Sequence, residues 1–232
     1  MQAVILVGGK GTRLRPLTNE VPKPLLPIGK KPILEVIIDR LRECNFTDII
    51  LTVEYKAELI EAYFRNGHSL DVNITYFHEN QPSGTAGPLK LVEHLLKDQP
   101  FLAMNGDLLT GIDFGKMYEA HLNTEAELTM ATAIHTVKSP YGVIELHDNK
   151  IVSIEEKPKL KFLINAGIYV VSPSVLDLLP KGDFFDMPDL IQILINQERK
   201  VETYHINGEW YDLGTMEIYQ KINALKSKES GD

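Results

Sequence analysis

The sequence predicts an α/β fold: a mostly parallel sheet flanked by helices, with a smaller hairpin-rich second half. Three observations carry this reading. Apolar runs alternate with helical periodicities in the order βαβαβ from the N-terminus to Phe77, and that order places helices on both faces of a parallel sheet. The first apolar run, Ala3 to Val7, feeds directly into a glycine-rich loop. After Gly142 the pattern changes to short alternating strands around turn residues. At 232 residues the chain is long enough to bury a sizeable core as one domain.

The elements follow in order. Ala3 to Val7 reads as a buried strand, and Gly8, Gly9 and Gly11 follow it. Val21 to Pro32 carries four prolines, which predict an ordered, non-helical segment able to hold Lys23 over the loop. Ile33 to Cys44 has apolar residues at 33, 34, 37, 38 and 41, the spacing of a helix face. Asp48 to Val53 is a strand, Lys56 to Arg65 a helix stopped by Asn66-Gly67, and Val72 to Phe77 the next strand. Gly84, Gly87 and Pro88 open a helix expected to reach about Lys97. Phe101 to Met104 is a short strand ending in Asn105-Gly106-Asp107. An aspartate just past the carboxyl end of a buried strand lies where open α/β sheets place ligands. Asp113 caps a helix to His121, and Leu128 to Ile134 is a strand.

In the second half, GVIELH and IVSIEE alternate around Asp148-Asn149, a hairpin signature. Ile164 to Val171 is a strand containing a glycine, followed by short helices near Ser174 to Leu179 and Pro188 to Gln197. Val201 to Ile206 and Glu209 to Tyr211 form a candidate hairpin around Asn207-Gly208. Thr215 is a candidate cap for a last helix carrying Ile218, Ile222 and Leu225. The terminal KSKESGD is expected to fray.

Composition narrows the function classes. The net charge of −8 argues against nucleic-acid or anionic-membrane partners. Between Lys10 and Lys31, however, lie six basic residues and one acid. A basic island in an acidic chain, set among glycines and prolines, suits a small anionic ligand. No apolar run is long enough to span a bilayer. A single cysteine, Cys44, cannot make an internal disulfide, and the N-terminus enters a strand without a signal-like segment, so a cytoplasmic location is expected.

Glycines admit close backbone approach to a ligand, and the arginines Arg13 and Arg15 supply forked donors suited to phosphate oxygens. The loop Gly8-Gly9-Lys10-Gly11-Thr12-Arg13 fits neither the P-loop nor the dinucleotide fingerprint. Taken with PKPLLP, however, GGKGTRLRPLT resembles the signature of the sugar-1-phosphate nucleotidyltransferases. GTAGPL at 84–89, NGD at 105–107, YGV at 141–143, EEKP at 155–158, NAGIYV at 165–170 and WYDLGT at 210–215 continue the likeness in the family's order, over nearly the whole chain.

The resemblance implies a Rossmann-like, nucleotide-diphospho-sugar transferase (GT-A-like) fold, with a nucleotide-binding half over 1–135. A sugar-phosphate-binding half and C-terminal helix would occupy 136–232, without the left-handed β-helix that many relatives carry. It implies partners, a nucleoside triphosphate and a sugar 1-phosphate, a Mg²⁺ cofactor, and compatibility with a homo-oligomer. Arg13, Lys23 and Asp107 match the family's catalytic groups. Leu6, Gly8, Gly9, Gly11, Thr12, Arg13, Lys23, Gln81, Gly84 and Thr85 match its nucleotide contacts. Gly142, Glu156, Lys157 and Asn165 match its sugar-phosphate contacts, and Asp107 and Asp212 its metal ligands.

Local explanations compete at several of these positions. Asp107 suits an Asx turn, Asp212 a helix start, and Gly142 and Asn165 a turn or bulge. GTAGPL is nearer the mannose- or heptose-1-phosphate guanylyltransferases than the thymidylyl enzymes, while uridylyl relatives have similar loops. Ser83 stands where the GDP-mannose group carries leucine. Rival readings are a uridylyl- or thymidylyltransferase acting on another hexose 1-phosphate, and a non-catalytic nucleotide-sugar sensor. A cytidylyltransferase acting on a polyol phosphate is a further one. The sensor reading is disfavoured by retention of the arginine, lysine and both aspartates.

Overall fold

The computed structural model describes residues 1–229, with side chains to Lys226. In chain order the first half contains β1 (Gln2–Leu6), the one-turn α1 (Leu17–Glu20), the two-residue strands β2 (Pro27–Ile28) and β3 (Lys31–Pro32), and α2 (Ile33–Glu43). It continues with β4 (Asp48–Val53), α3 (Ala57–Phe64), β5 (Asn73–His78), α4 (Gly87–Leu91), β6 (Phe101–Asn105), β7 (Leu108–Thr110) and α5 (Phe114–Thr124). The second half contains β8 (Leu128–Lys138), β9 (Gly142–His147), β10 (Lys150–Glu156), β11 (Lys159–Val171), α6 (Met187–Asn196), β12 (Val201–His205), β13 (Trp210–Asp212) and α7 (Met216–Glu229).

Seven strands form one sheet in the order β12-β8-β11-β6-β1-β4-β5. Only β11 runs against the rest. Both faces are covered. Ala3 and Ile5 join one apolar cluster with side chains of α2, α3, α5 and α7, while Val4 joins a second with α4 and α6. That is why β1 reads as a continuous apolar run rather than an alternating one. The chain passes from β1 to β4 on one side and later returns to place β6 on the other. The reversal makes a crevice at the carboxyl ends of β1 and β6, the place where such sheets bind ligands. The backbone closes it tightly, with the Gly106 N–H donating to the Leu6 carbonyl at 2.9 Å.

Several expectations are corrected. Val201–Ile206 and Glu209–Tyr211 do not form a hairpin. β12 pairs in parallel with β8, and β13 pairs antiparallel with β7. The two strands instead take the free edges of β8 and β7. The helix expected to reach Lys97 stops at Leu91 and gives way to a 3₁₀ turn, Glu93–Leu95. The Gln2 side chain takes the backbone there, accepting from Lys97 N–H at 2.7 Å and donating to the Leu95 carbonyl at 3.2 Å. The proline-rich segment includes a 3₁₀ turn at Lys23–Leu25 before its two short strands. The expected fraying of KSKESGD does not hold for its first residues, since α7 continues to Glu229; the last three residues lie outside those described. β8 and β11 are longer than expected. Beyond Ile134 and before Ile164 they leave the core as an exposed ribbon that continues into the β9–β10 hairpin. Asp113 caps α5 as expected, its carboxylate accepting the Lys116 N–H at 3.0 Å. Thr215 caps α7 through Ile218 N–H at 3.4 Å.

One buried ring makes the packing pH-sensitive. His121, on α5, is 1% exposed. Its Nδ1 lies 2.9 Å from Thr129 Oγ1 and its Nε2 3.1 Å from Ser172 Oγ. The Ser172 hydroxyl donates to the Ala126 carbonyl, so it accepts from His121 Nε2–H. The neutral Nε2–H tautomer therefore satisfies every partner. Burial holds the imidazole below its ordinary 6.5. A depressed pKa means that the unfolded chain takes the proton first. The stabilisation is complete above about 6.5 and is lost as pH falls from there through the folded-state value. The urea midpoint is expected to drop between pH 6.5 and 5, and this slope to flatten in His121→Gln.

Candidate active site

The crevice is a cleft of about 600 Å³. It is lined by Leu6, Gly8, Gly9, Lys10, Gly11, Thr12, Arg13 and Lys23, and by Asn105, Gly106 and Asp107 after β6. Glu54, Glu79, Pro82, Ser83, Gly84, Thr85 and Phe184 complete the lining, with Glu54 and Glu79 against Gly8. Ten residues named from the sequence thus meet in one cavity: Leu6, Gly8, Gly9, Gly11, Thr12, Arg13, Lys23, Gly84, Thr85 and Asp107.

The glycine loop follows β1 and is tied down by Thr18, whose hydroxyl donates to the Gly11 carbonyl at 2.9 Å. Arg13 is exposed and forms no ion pair among the described residues. Lys23 is 8% exposed, not the loose surface lysine that a proline-flanked position permits. Its Nζ forms an ion pair with Asp107 Oδ2 across the floor. A lysine so deeply placed needs a counter-charge, and Asp107 supplies it.

Asp212 does not line the cleft, yet the fold brings it beside Asp107. β13 pairs with β7 so that Asp212 faces Leu108, and the Leu213 N–H donates to the Asp107 carbonyl at 3.0 Å. Asp212 Oδ1 is buried without a hydrogen-bond partner. Gly214 leaves the space it needs. A Cβ there would sit 2.9 Å from Asp212 Oδ1 and 3.0 Å from an Arg13 guanidinium nitrogen. Two aspartates on adjoining backbone, one with an unsatisfied buried oxygen, supply the hard-oxygen donors that suit a Mg²⁺ that keeps several waters.

The loop after β5 is locked onto the segment before α6. Phe185 N–H donates to the Ser83 carbonyl at 2.9 Å, and the Phe185 carbonyl accepts from Ala86 and Gly87. Thr85 N–H and hydroxyl both donate to Asp186 Oδ1, and the hydroxyl accepts Met187 N–H at 2.8 Å. The Thr85 side chain is therefore spent on the scaffold. Gly84 has φ +84°, and a Cβ there would lie 2.4 Å from the Phe185 carbonyl oxygen, so the turn needs glycine. Gln81 is exposed and does not line the cleft; its neighbours Pro82 and Ser83 do.

The sugar-side residues are not brought into the cleft. Gly142, Glu156 and Lys157 lie together at the base of the exposed β9–β10 hairpin. Gly142 faces Glu156 across the ladder, and Lys157 Nζ lies 3.9 Å from Glu156 Oε1. Asn165 shapes a bulge in β11. Its Oδ1 accepts Gly167 N–H at 2.9 Å, and its amide contacts Tyr169 Oη at 2.7 Å. Glu54 and Glu79 are cleft residues that the motif reading passed over. Their signal was positional: each is the first residue after a parallel strand, β4 and β5, where ligands bind.

Residues 2–229 match the family model described as nucleotidyl transferase. The chain belongs to the nucleotidyl transferase family. It is 35% identical to UTP–glucose-1-phosphate uridylyltransferase of Synechocystis, over 99% of this chain and 64% of that protein. It is 38% identical to mannose-1-phosphate guanyltransferase of Saccharomyces cerevisiae, over 92% of this chain and 61% of that protein. It thus spans less than two thirds of the length of these relatives. Among solved structures it resembles HddC of Yersinia pseudotuberculosis complexed with GMP-PN, with TM-score 0.75 and 26% identity over 97% of this chain and 98% of that one. A candidate glucose-1-phosphate thymidylyltransferase from Bacillus anthracis, in complex with sucrose, superposes with TM-score 0.80 and 26% identity, over 97% of this chain and 95% of that one. These neighbours share this family's mostly parallel central sheet flanked by helices.

Proposed function

We propose that this nucleotidyl transferase moves a nucleotidyl group from a nucleoside triphosphate to a sugar 1-phosphate. A phosphate oxygen of the sugar attacks the α-phosphorus in line, a new P–O bond forms, and the bond to the bridging oxygen breaks. Pyrophosphate leaves with the electron pair. The nucleophile needs no protein base, because a phosphate monoester with a second pKa of roughly 6 is largely a dianion at neutral pH. The catalytic task is to bring two anions together and hold them in line.

One observation carries the reading: Arg13, Lys23 and the glycine loop meet Asp107 at the β1/β6 crevice of a member of this family, with Asp212 on the adjoining strand. In this reading Gly8, Gly9, Gly11 and Thr12 wrap the triphosphate, with Leu6 beneath it. Lys23 holds its phosphates, and Arg13 neutralises charge as the α-phosphorus is attacked. Asp107 and Asp212 would hold Mg²⁺, which supplies charge neutralisation on the phosphates when bound. Gly142, Glu156, Lys157 and Asn165 serve the sugar phosphate, for which the ribbon carrying the first three must close over the cleft. We place the protein in the cytoplasm, without nucleic-acid or membrane partners. No helix among the described residues is long and apolar enough to cross a membrane.

GTP with a mannose or heptose 1-phosphate is the favoured pair. The guanyltransferase relatives and the guanine-nucleotide complex of HddC support it. The uridylyl relative of nearly equal identity supports the main rival. A panel of the common nucleoside triphosphates against hexose and heptose 1-phosphates, scored by pyrophosphate release, tests both. GTP with one of the named sugars should turn over fastest; no release with any pair would overturn the enzymatic reading.

A further inference from the structure

A helix of one turn separates two cations of the cleft. Arg13 stands just before α1 and Lys23 just after it. A helix this short is not stable alone, so other contacts must fix the spacing of the two side chains. Its last carbonyls also lack partners within the helix. We propose that Lys56, with Tyr55 beside it, is a positioning residue: by gripping the open end of α1 it sets Lys23 and the glycine loop for the triphosphate. Neither Tyr55 nor Lys56 lines the cleft. The inference rests on the nucleotidyl-transfer reading above, in which Arg13 and Lys23 take the phosphates, and names what holds them.

The grip runs from atom to atom. Lys56 Nζ donates to the Asn19 carbonyl at 2.6 Å and to the Glu20 carbonyl at 2.8 Å. The Tyr55 hydroxyl donates to the Thr18 carbonyl at 3.2 Å, and the Lys56 ammonium lies 5.5 Å from the centre of the Tyr55 ring. Thr18 is buried and passes the restraint on. Its hydroxyl holds the Gly11 carbonyl, and a Cβ at Gly11 would lie 2.9 Å from Thr18 Cγ2 and 3.3 Å from Lys23 Cβ. Thr18 and Lys23 therefore both pack against Gly11, and a shift of α1 would disturb the loop and the lysine together. The residue before Tyr55 completes the bracket. Glu54 lies against the start of the loop, its Cβ 3.6 Å from where a Gly8 Cβ would be.

The backbone at Lys56 points the same way. Its φ of +52° lies in the left-handed region, which glycine adopts without strain and other residues at a cost. What lysine adds at this position is its side chain. Arginine keeps the charge and the donors for two carbonyls, whereas methionine keeps only the apolar stem.

Equilibrium binding of inorganic tripolyphosphate to the full chain reads the site without requiring turnover. Lys56→Met should weaken it on the order of 10-fold, and Lys56→Arg by less than about threefold. With the substrate pair that turns over fastest, kcat of Lys56→Met should fall on the order of 10- to 100-fold, while KM for the sugar 1-phosphate stays within about threefold. A lysine that acted only as a distant charge or a general stabiliser would give a loss that multiplies with that of Lys23→Met. Here the double variant should bind tripolyphosphate little worse than Lys23→Met alone. Tyr55→Phe removes one hydroxyl and should show the same pattern at smaller amplitude; it carries the test if Lys56→Met does not fold. Wild-type tripolyphosphate affinity in the folded variants would overturn the proposal, as would a loss that Lys56→Arg does not recover or full multiplication in the double variant. The expected binding pattern without turnover of any substrate pair would leave this assignment standing while the reaction reading fell.

Discussion

Arg13→Ala is expected to lower turnover by about three orders of magnitude and leave the fold intact. Removing one preorganised donor to a developing oxyanion costs roughly 10²- to 10³-fold, and an arginine stabilising phosphoryl transfer reaches about 10³- to 10⁵-fold. The side chain is exposed and has no ion pair among the described residues, so stability should change by less than about 0.5 kcal/mol. Arg13→Lys should recover little, since an ammonium cannot present two parallel donors. Pyrophosphate release beside a thermal melt measures both quantities. Turnover within tenfold of wild type would remove Arg13 from the transition state.

The two carboxylates should separate from each other in stability while agreeing in function. Asp107→Ala leaves Lys23, its side chain 10% exposed, without its counter-charge and is expected to cost about 2–3 kcal/mol. Activity and folding therefore fall together in that variant, and loss of activity alone would be ambiguous. Asp212→Ala removes a buried oxygen that has no donor, so the metal-free protein should be as stable as wild type or slightly more so. Titration with Mg²⁺ followed by thermal melting should raise the midpoint of the wild type and not that of Asp212→Ala. An undiminished Mg²⁺ response in Asp212→Ala would take that residue out of the metal site.

Much of this arrangement was legible before the structure. The apolar strand, the glycines after it and the prolines around Lys23 act through local backbone preferences, which a sequence displays directly. Asp107 was legible because the end of a parallel strand is a functional address. Thr85 and Asn165 read as ligand contacts because they stand at positions that match the family's motifs. Folding instead turned the Thr85 hydroxyl toward Asp186 and Met187, and Asn165 toward Gly167 and Tyr169. Motif position identifies a residue's neighbourhood but not the partner its polar atoms take.

The sequence by itself determined the fold class and the glycine loop, and it marked Arg13, Lys23 and Asp107 as candidates. Each lies within a few residues of the signal that marks it. Only the tertiary structure decided that Asp212 stands beside Asp107, because β13 pairs with β7 rather than closing a hairpin with β12. It also decided that the Ser83 hydroxyl donates to Glu79 within the cleft lining. Strand partners and buried hydrogen bonds are settled by which edges and donors remain unsatisfied once the core has packed, a long-range competition that local preferences do not encode.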